Sequence, residues 1–219
     1  MPVSGVVLAQ AASWYIGLGE TTTLNWQLWF VYWSSFTIFA VICHRLALLP
    51  PFRRFAVSPA AAVRLVLRFF GWLVVLGILF GTIDSALANL LEVIFVNIAG
   101  DQYAREAEHW SYYAATLPAS YLPARFSMVL PATAIDEKVD LRWSWERTRG
   151  NGWRLVVIIG LLPWALASIM QALSYEGMSL ISVFAWCVVS AFLGIVEVVA
   201  LSLSFWELGK GPKIERPET

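Results

Sequence analysis

The segment YLPARFSMVLPATAID, residues 121–136, decides the fold, because it is either a loop outside a membrane or part of a crossing. Pro123, Arg125, Pro131 and Asp136 are typical of a loop. The residues between them are apolar, and together with the preceding stretch they are long enough to span a bilayer. The distribution of basic residues along the rest of the chain decides between these two interpretations.

The composition of the whole chain is that of a membrane protein. Hydrophobic residues occupy 59% of the 219 positions and charged residues 14%, whereas soluble domains carry about 25% charged residues. The twelve Trp and seven Tyr side chains are suited to the membrane–water interface. A formal net charge of zero provides no field that would attract a nucleic acid. We therefore expect an all-α integral membrane protein, in one multi-pass domain over residues 1–219, with no nucleic-acid partner.

Four apolar runs predict membrane-spanning helices, because a backbone inside lipid has to satisfy its own hydrogen bonds. These runs cover residues 26–49, 65–98, 153–173 and 178–206. The N-terminal stretch 5–18 is apolar but has no basic residue before it. We therefore interpret it as a retained interfacial helix and not as a signal peptide.

The positive-inside rule favours a further span at residues 109–135. Basic residues flank the connection between the first two runs and place it in the cytoplasm: Arg45, Arg53, Arg54, Arg64 and Arg68. If residues 99–150 were one external loop, the basic stretch 138–154 and the basic C-terminal tail would both lie outside. A crossing at 109–135 moves both inside. The expected topology is about five spans, one of them kinked by proline, with the N-terminus outside and the C-terminus in the cytoplasm. A re-entrant or interfacial segment at 109–135 is the alternative.

Three ionisable residues, Asp84, Arg125 and Glu197, would then lie at membrane depth, where each needs a partner or water. If 109–135 is a single helix, Arg125 and Glu197 are both about 15 Å from the cytoplasmic ends of their helices. Equal depth predicts a buried Arg125–Glu197 ion pair that fixes helix register. The alternatives are a polar site or ion path through the bundle, and an Arg125 side chain that reaches the surface.

Residues 137–149 predict a second interfacial amphipathic helix. Leu141, Trp145 and Thr148 recur at helical intervals, and the arginines point in other directions. Gly150 and Asn151 are expected to end this helix, because both tolerate a left-handed backbone.

The stretch 121–155 resembles a bacterial family of multi-span inner-membrane proteins, which includes YciC-like proteins and the membrane domain of some glycerophosphoryl diester phosphodiesterases. The residues that carry the resemblance are Arg125, Pro131, Ala132, Asp136, Trp145, Thr148, Arg149, Gly150, Asn151, Trp153 and Arg154. The chain has no phosphodiesterase domain, so no catalytic residue carries over. The resemblance implies a fold more than an activity.

The sequence contains no motif for phosphate binding, nucleophilic catalysis or metal coordination. We therefore expect a non-enzymatic membrane scaffold or accessory subunit, without cofactor or metal, which associates with lipid, with a membrane-protein partner or with copies of itself. A small transporter or channel that uses Asp84, Arg125 and Glu197 is the alternative. An enzyme acting on lipid headgroups is a third possibility.

Overall fold

The computed structural model describes residues 22–100, 104–162, 164–165 and 180–209, and every regular element in these ranges is a helix. The all-α class is therefore confirmed. The helices are α1 (Thr22–Leu48), α2 (Pro59–Ala99), α3 (Ala104–Ala119), α4 (Tyr121–Phe126), α5 (Val129–Ala134), α6 (Leu141–Arg147), α7 (Gly152–Val156, continued by a π-helical turn Val157–Leu161) and α8 (Leu180–Gly209). The interfacial helix predicted at 5–18 and the second half of the span predicted at 153–173 lie outside the described residues.

Two helical stretches are long and apolar enough to cross a membrane, Pro59–Ile98 in α2 and Phe192–Gly209 in α8. They overlap the runs predicted at 65–98 and 178–206. Shorter apolar stretches occur at Trp33–Leu48 and Gly152–Leu161. Five separate spans are not confirmed.

The stretch 109–135, predicted as one span kinked by proline, is helical but interrupted. It is divided into α3, α4 and α5 by turns at Ser120 and at 127–128. Pro118 lies inside α3, and Pro123 and Pro131 add further positions without a backbone N–H donor. The serine at each break satisfies a carbonyl next to it: Ser120 Oγ donates to the Leu117 carbonyl at 2.7 Å and Ser127 Oγ to the Ala124 carbonyl at 2.6 Å.

Helix α2 is regular over its whole length. Ser58 caps its N-terminus by accepting from the Ala61 N–H, and Pro59 occupies the first turn, where no donor is lost. Gly100 ends the helix with a φ of 96°. The 41 residues make a helix about 60 Å long, twice the roughly 30 Å hydrocarbon thickness of a bilayer.

The chain from α3 to α5 runs back along α2 in the antiparallel direction. The Asp84 side chain in α2 is hydrogen-bonded to Thr116 in α3, and Arg68, sixteen positions earlier in α2, bonds to the Thr133 carbonyl in α5. Helix α8 runs parallel to α1, because Phe36 lies next to Gly194 and His44 next to Ser202. The core between them contains Ala40, Phe69, Leu76, Met128, Leu155 and Leu201.

Candidate functional site

Segment 121–136 is the most enclosed part of the described chain. The end of α5 lies at the end of the bundle where α1 also stops and α2 begins, and several polar contacts are found there. We call this the basic end. Arg45, at the end of α1, is buried there and donates three hydrogen bonds to backbone carbonyls. Nη1 bonds to Ala134 at 2.9 Å, Nε to Arg54 at 2.8 Å and Nη2 to Arg53 at 3.0 Å. One side chain therefore joins the α1–α2 connection to the end of α5.

The end of α5 is a Schellman motif with an aspartate in the left-handed position. Asp136 has a φ of 68°, its N–H donates to the Thr133 carbonyl, and the Glu137 N–H donates to the Ala132 carbonyl, both at 2.9 Å. Arg68 Nη2 reinforces the motif by donating to Thr133 O at 3.3 Å, Asp136 Oδ1 at 3.2 Å and Glu137 O at 3.1 Å. Asp136 therefore ends α5, and Arg68 joins this end to α2.

Arg125 is the centre of a second set of contacts, the Arg125 cluster, which also contains Ser144, Trp145 and Thr148. Its Nη2 donates to the Trp145 carbonyl at 2.6 Å and its Nε to Thr148 Oγ1 at 3.1 Å. The guanidinium carbon lies 3.5 Å from the centroid of the Trp145 ring. In return, Ser144 Oγ donates to the Arg125 carbonyl at 2.8 Å. These contacts join α4 to α6 through both side chain and backbone.

The expected Arg125–Glu197 ion pair is wrong. Arg125 directs its guanidinium to α6, and it forms no ion pair with Glu197, which lies on α8. The prediction calculated the depth of Arg125 along a single helix over 109–135. The structure interrupts that helix at Ser120 and at 127–128, so this calculated depth does not apply.

The Gly-rich end of the predicted surface helix packs onto the Arg125 cluster. α6 covers 141–147 within the predicted 137–149, and Gly150 follows it with a φ of 79°. At Gly152, a Cβ would lie 3.2 Å from Arg125 Cδ and from the Tyr121 ring, so the absence of a side chain allows α7 to approach α4. The Trp153 ring packs against the Tyr121 ring at a tilt, with a centroid distance of 5.2 Å.

The other residues of the family-like motif have separate positions. Pro131 and Ala132 are buried in α5, and Asn151 precedes α7 and is half-buried. Arg149 and Arg154 are exposed. The buried part of the motif therefore holds α4, α6 and α7 together. The two exposed arginines, Arg149 and Arg154, can contact solvent, lipid or another protein.

The remaining predicted charged residues do not meet Arg125. Asp84 is buried far along α2, where Thr116 bonds to its carboxylate and its Oδ1 has no hydrogen-bond partner among the described residues. Glu197 borders a partly open cavity of about 70 Å³ with mainly apolar walls. Arg125, Glu197 and Asp84 therefore do not form one site.

Sequence reasoning missed His44 and Ser202, which are buried and adjacent. His44 Nδ1 lies 2.7 Å from Ser202 Oγ, and the Ser202 hydroxyl is 2.9 Å from the Val198 carbonyl. When the hydroxyl donates to Val198, the His44 Nδ1–H donates to Ser202 Oγ, so this contact joins α1 to α8. It missed also the carbonyl-binding roles of Arg45 and Arg68, which were interpreted only as topology signals. The signal available in the sequence was that both arginines lie among apolar residues near a helix end, where a buried guanidinium needs acceptors.

Comparison with protein-family models, with curated proteins and with solved structures gave no match. Within the described residues, no three His, Cys, Asp or Glu side chains are grouped so that they could hold a metal ion. Chemically, the arrangement at the basic end satisfies backbone carbonyls and presents α6 in a fixed orientation.

Proposed function

We propose that this chain is a non-enzymatic scaffold or accessory subunit of a bacterial inner membrane, which associates through its basic end with lipid and with a membrane-protein partner or a second copy of itself. The observation that carries the proposal is the Arg125 cluster. It fixes α6 against α4 while Arg142, Glu146 and Arg149 stay exposed. The buried charge of Arg125 therefore serves to pack α6 on α4, and the exposed charged residues of α6 remain able to bind lipid or a partner.

The proposed topology has about five crossings, with the N-terminus outside and the C-terminus in the cytoplasm. Two basic segments lie near one another, and the described end of α8 lies beside the second, which supports this topology. Arg68 in α2 forms an ion pair with Asp136 just before the stretch 138–154. Gly209, the last described residue before the basic tail, lies next to Arg147 Nη2. The parallel arrangement of α1 and α8 and the antiparallel return of α3–α5 along α2 agree with it.

The transporter alternative receives less support from the geometry. A transport path through Asp84, Arg125 and Glu197 needs a polar cavity that reaches all three residues. Among the described residues, the cavity at Glu197 is small and mainly apolar, and neither Asp84 nor Arg125 borders it. The resemblance to YciC-like proteins remains part of the proposal.

The proposal is tested by purifying the full chain in native-membrane nanodiscs and measuring the size and lipid content of the particle by native mass spectrometry. The variant Arg142→Gln/Arg147→Gln/Arg149→Gln removes the positive charge of α6 and its C-terminal turn. We expect it to lose a bound protein or most of its anionic lipid, because each basic residue near an anionic surface contributes about 1 kcal/mol.

A matched control separates α6 from general electrostatic attraction. Arg53→Gln/Arg64→Gln/Arg154→Gln also removes three exposed positive charges, but none of them belongs to α6. We expect this variant to keep its partner and most of its lipid. Particles of identical size and lipid content for the α6 variant and the unchanged protein would overturn the proposal.

A further inference from the structure

A cleft of about 1040 Å³ lies between the first turns of α2 and the segment that leads into α6. On one side it is bordered by Arg68, Gly71, Trp72 and Val75. On the other side lie residues 138–143 and Glu146. Its volume is at the upper end of the range for small-molecule sites, which runs to roughly 1,000 Å³. The hydrogen bonds and ring contacts described above leave this volume unfilled.

The cleft changes from charged to apolar along its length. Arg68, Lys138 and Arg142 border it at the basic end, and Gly71 and Val75 lie one and two turns further along α2. Val75 lies seven positions after Arg68, which corresponds to about 10 Å along the helix axis. This length takes the cleft from the headgroup level into the hydrocarbon of a bilayer. A ligand that matches it is amphiphilic.

The basic side chains of the cleft keep hydrogen-bond donors that the protein does not use. All three bonds of Arg68 to described residues leave from Nη2. Lys138 is exposed and forms no ion pair with the described residues. Arg142 is paired with Glu146 at 3.0 Å, but both side chains are largely in solvent, so this pair is easily exchanged for another anion.

The acidic residues that border the cleft are already engaged. Asp140 Oδ1 accepts the Trp143 N–H at 2.7 Å and caps the N-terminus of α6. Glu146 accepts from Arg142. These hydrogen bonds leave the two carboxylates charged, but three basic residues against two acidic ones border the cleft, and the unused donors of Arg68 and Lys138 suit a phosphate.

We propose that this cleft binds one membrane phospholipid, with its phosphate against Arg68, Lys138 and Arg142 and an acyl chain along Gly71, Trp72 and Val75. The inference rests on the membrane insertion that the proposed function includes, but it does not depend on a protein partner. Trp72 and Trp143 stand on the two sides of the cleft, where their amphipathic rings suit the boundary between phosphate and acyl chain.

Gly71 provides a test that does not disturb the fold. A Cβ at Gly71 meets no atom within 4 Å, and the same is true at Gly81, two to three turns further along α2 and outside the cleft. Leu is a better helix former than Gly, so neither Gly71→Leu nor Gly81→Leu is expected to lower stability. Only Gly71→Leu places a side chain in the cleft.

The measurement is native mass spectrometry of the full chain, released from nanodiscs of defined phosphatidylethanolamine and phosphatidylglycerol content, with counting of tightly held lipids. We expect one lipid to remain on the unchanged protein and on Gly81→Leu, and to be lost from Gly71→Leu. Retention of that lipid by Gly71→Leu would overturn the proposal.

A charge variant tests the phosphate contact separately. Lys138→Gln/Arg142→Gln is expected to lower lipid retention about tenfold, and Arg149→Gln/Arg154→Gln, which removes two exposed charges outside the cleft, to lower it far less. Equal losses in the two variants would show only general attraction to anionic lipid and contradict the site. Binding of inorganic phosphate or of an acidic peptide in place of lipid would also contradict it.

Failure of the cleft and failure of the scaffold are distinguishable. Gly71→Leu leaves the charged surface of α6 unchanged, so a protein partner is expected to stay bound to it when the lipid is lost. If the partner is absent from the unchanged protein but the single lipid is retained, the scaffold is overturned and the cleft stands.

Discussion

Helix α2 and segment 121–136 satisfy the hydrogen bonds of their backbones in opposite ways. α2 runs without interruption through 41 residues, and in its most apolar part only 22% of the residues are buried. Segment 121–136 contains two six-residue helices, and its residues from Pro123 to Ala134 are nearly all buried. The regular helix faces the outside of the bundle, and the broken one is enclosed by it.

The difference follows from the hydrogen bonds of the backbone. A continuous helix satisfies its own N–H and C=O groups, so it tolerates contact with lipid. A helix that stops twice leaves carbonyls at each end, and these need donors from elsewhere. In this chain the donors are the side chains of Arg45, Arg68, Ser120, Ser127 and Ser144. Proline-broken segments are therefore stable here because polar side chains surround them.

The largest effect is expected for Arg125→Ala. The substitution removes two charge-assisted hydrogen bonds and the contact with the Trp145 ring, so it should lower the free energy of unfolding by about 3 kcal/mol or more. Denaturation in mixed detergent micelles measures it. Arg125→Lys should restore only part, because an ammonium group does not reproduce the planar stacking and the Nε contact. Full stability of Arg125→Ala would contradict the role of the Arg125 cluster.

A smaller loss is expected for Gly160→Ala. Gly160 lies in the π-helical turn against Ser120, and a Cβ there would collide with the Ser120 side chain at the first break of the segment. Overpacking of this kind costs about 1–3 kcal/mol. The control is Gly194→Ala, where the added methyl group meets Phe36 at an ordinary 3.6 Å. Thermal unfolding of both variants gives the comparison, and equal stability would show that α4 and α7 are not closely packed.

The Schellman motif at Asp136 predicts losses of stability of different size for two substitutions. Asp136→Ala keeps a strained positive φ and loses the Arg68 ion pair, so it should destabilise by about 1–2 kcal/mol. Asp136→Gly loses the same ion pair but relieves the backbone, so it should cost less than Asp136→Ala. Denaturant midpoints of the two variants test this order. The reverse order would indicate that residue 136 does not adopt the left-handed conformation.

The smallest effect is expected on the outer face of α2. Ile78 is 65% exposed, so Ile78→Ala leaves no internal cavity and should change stability by less than about 0.5 kcal/mol. Leu76→Ala, two residues away and 1% exposed, leaves a cavity and should cost about 2 kcal/mol. Unfolding of the pair in the same micelles checks whether α2 presents one face to lipid. Equal losses would mean that the Ile78 face is covered by protein.

Much of the fold was predictable because hydrophobic runs and helix caps are local signals. The ends of α2 and the stop at Gly150 follow from residues that stand in the sequence at those points. The partners of Arg125 were not predictable, because Trp145 and Thr148 lie 20 and 23 positions further along the chain and reach Arg125 only through the packing of α6 on α4. The contact between His44 and Ser202 joins residues 158 positions apart, and no local pattern encodes such a contact.

Cysteine-accessibility labelling tests the central claim, that the chain crosses back along α2 through segment 121–136, most directly. In a Cys43→Ser/Cys187→Ser background, single cysteines are introduced by Gln102→Cys, Met128→Cys and Lys138→Cys and treated with a membrane-impermeant maleimide in intact and in opened cells. We predict that Gln102→Cys is labelled from outside, Lys138→Cys only after opening, and the buried Met128→Cys from neither side. Labelling of Gln102→Cys and Lys138→Cys from the same side would contradict the account.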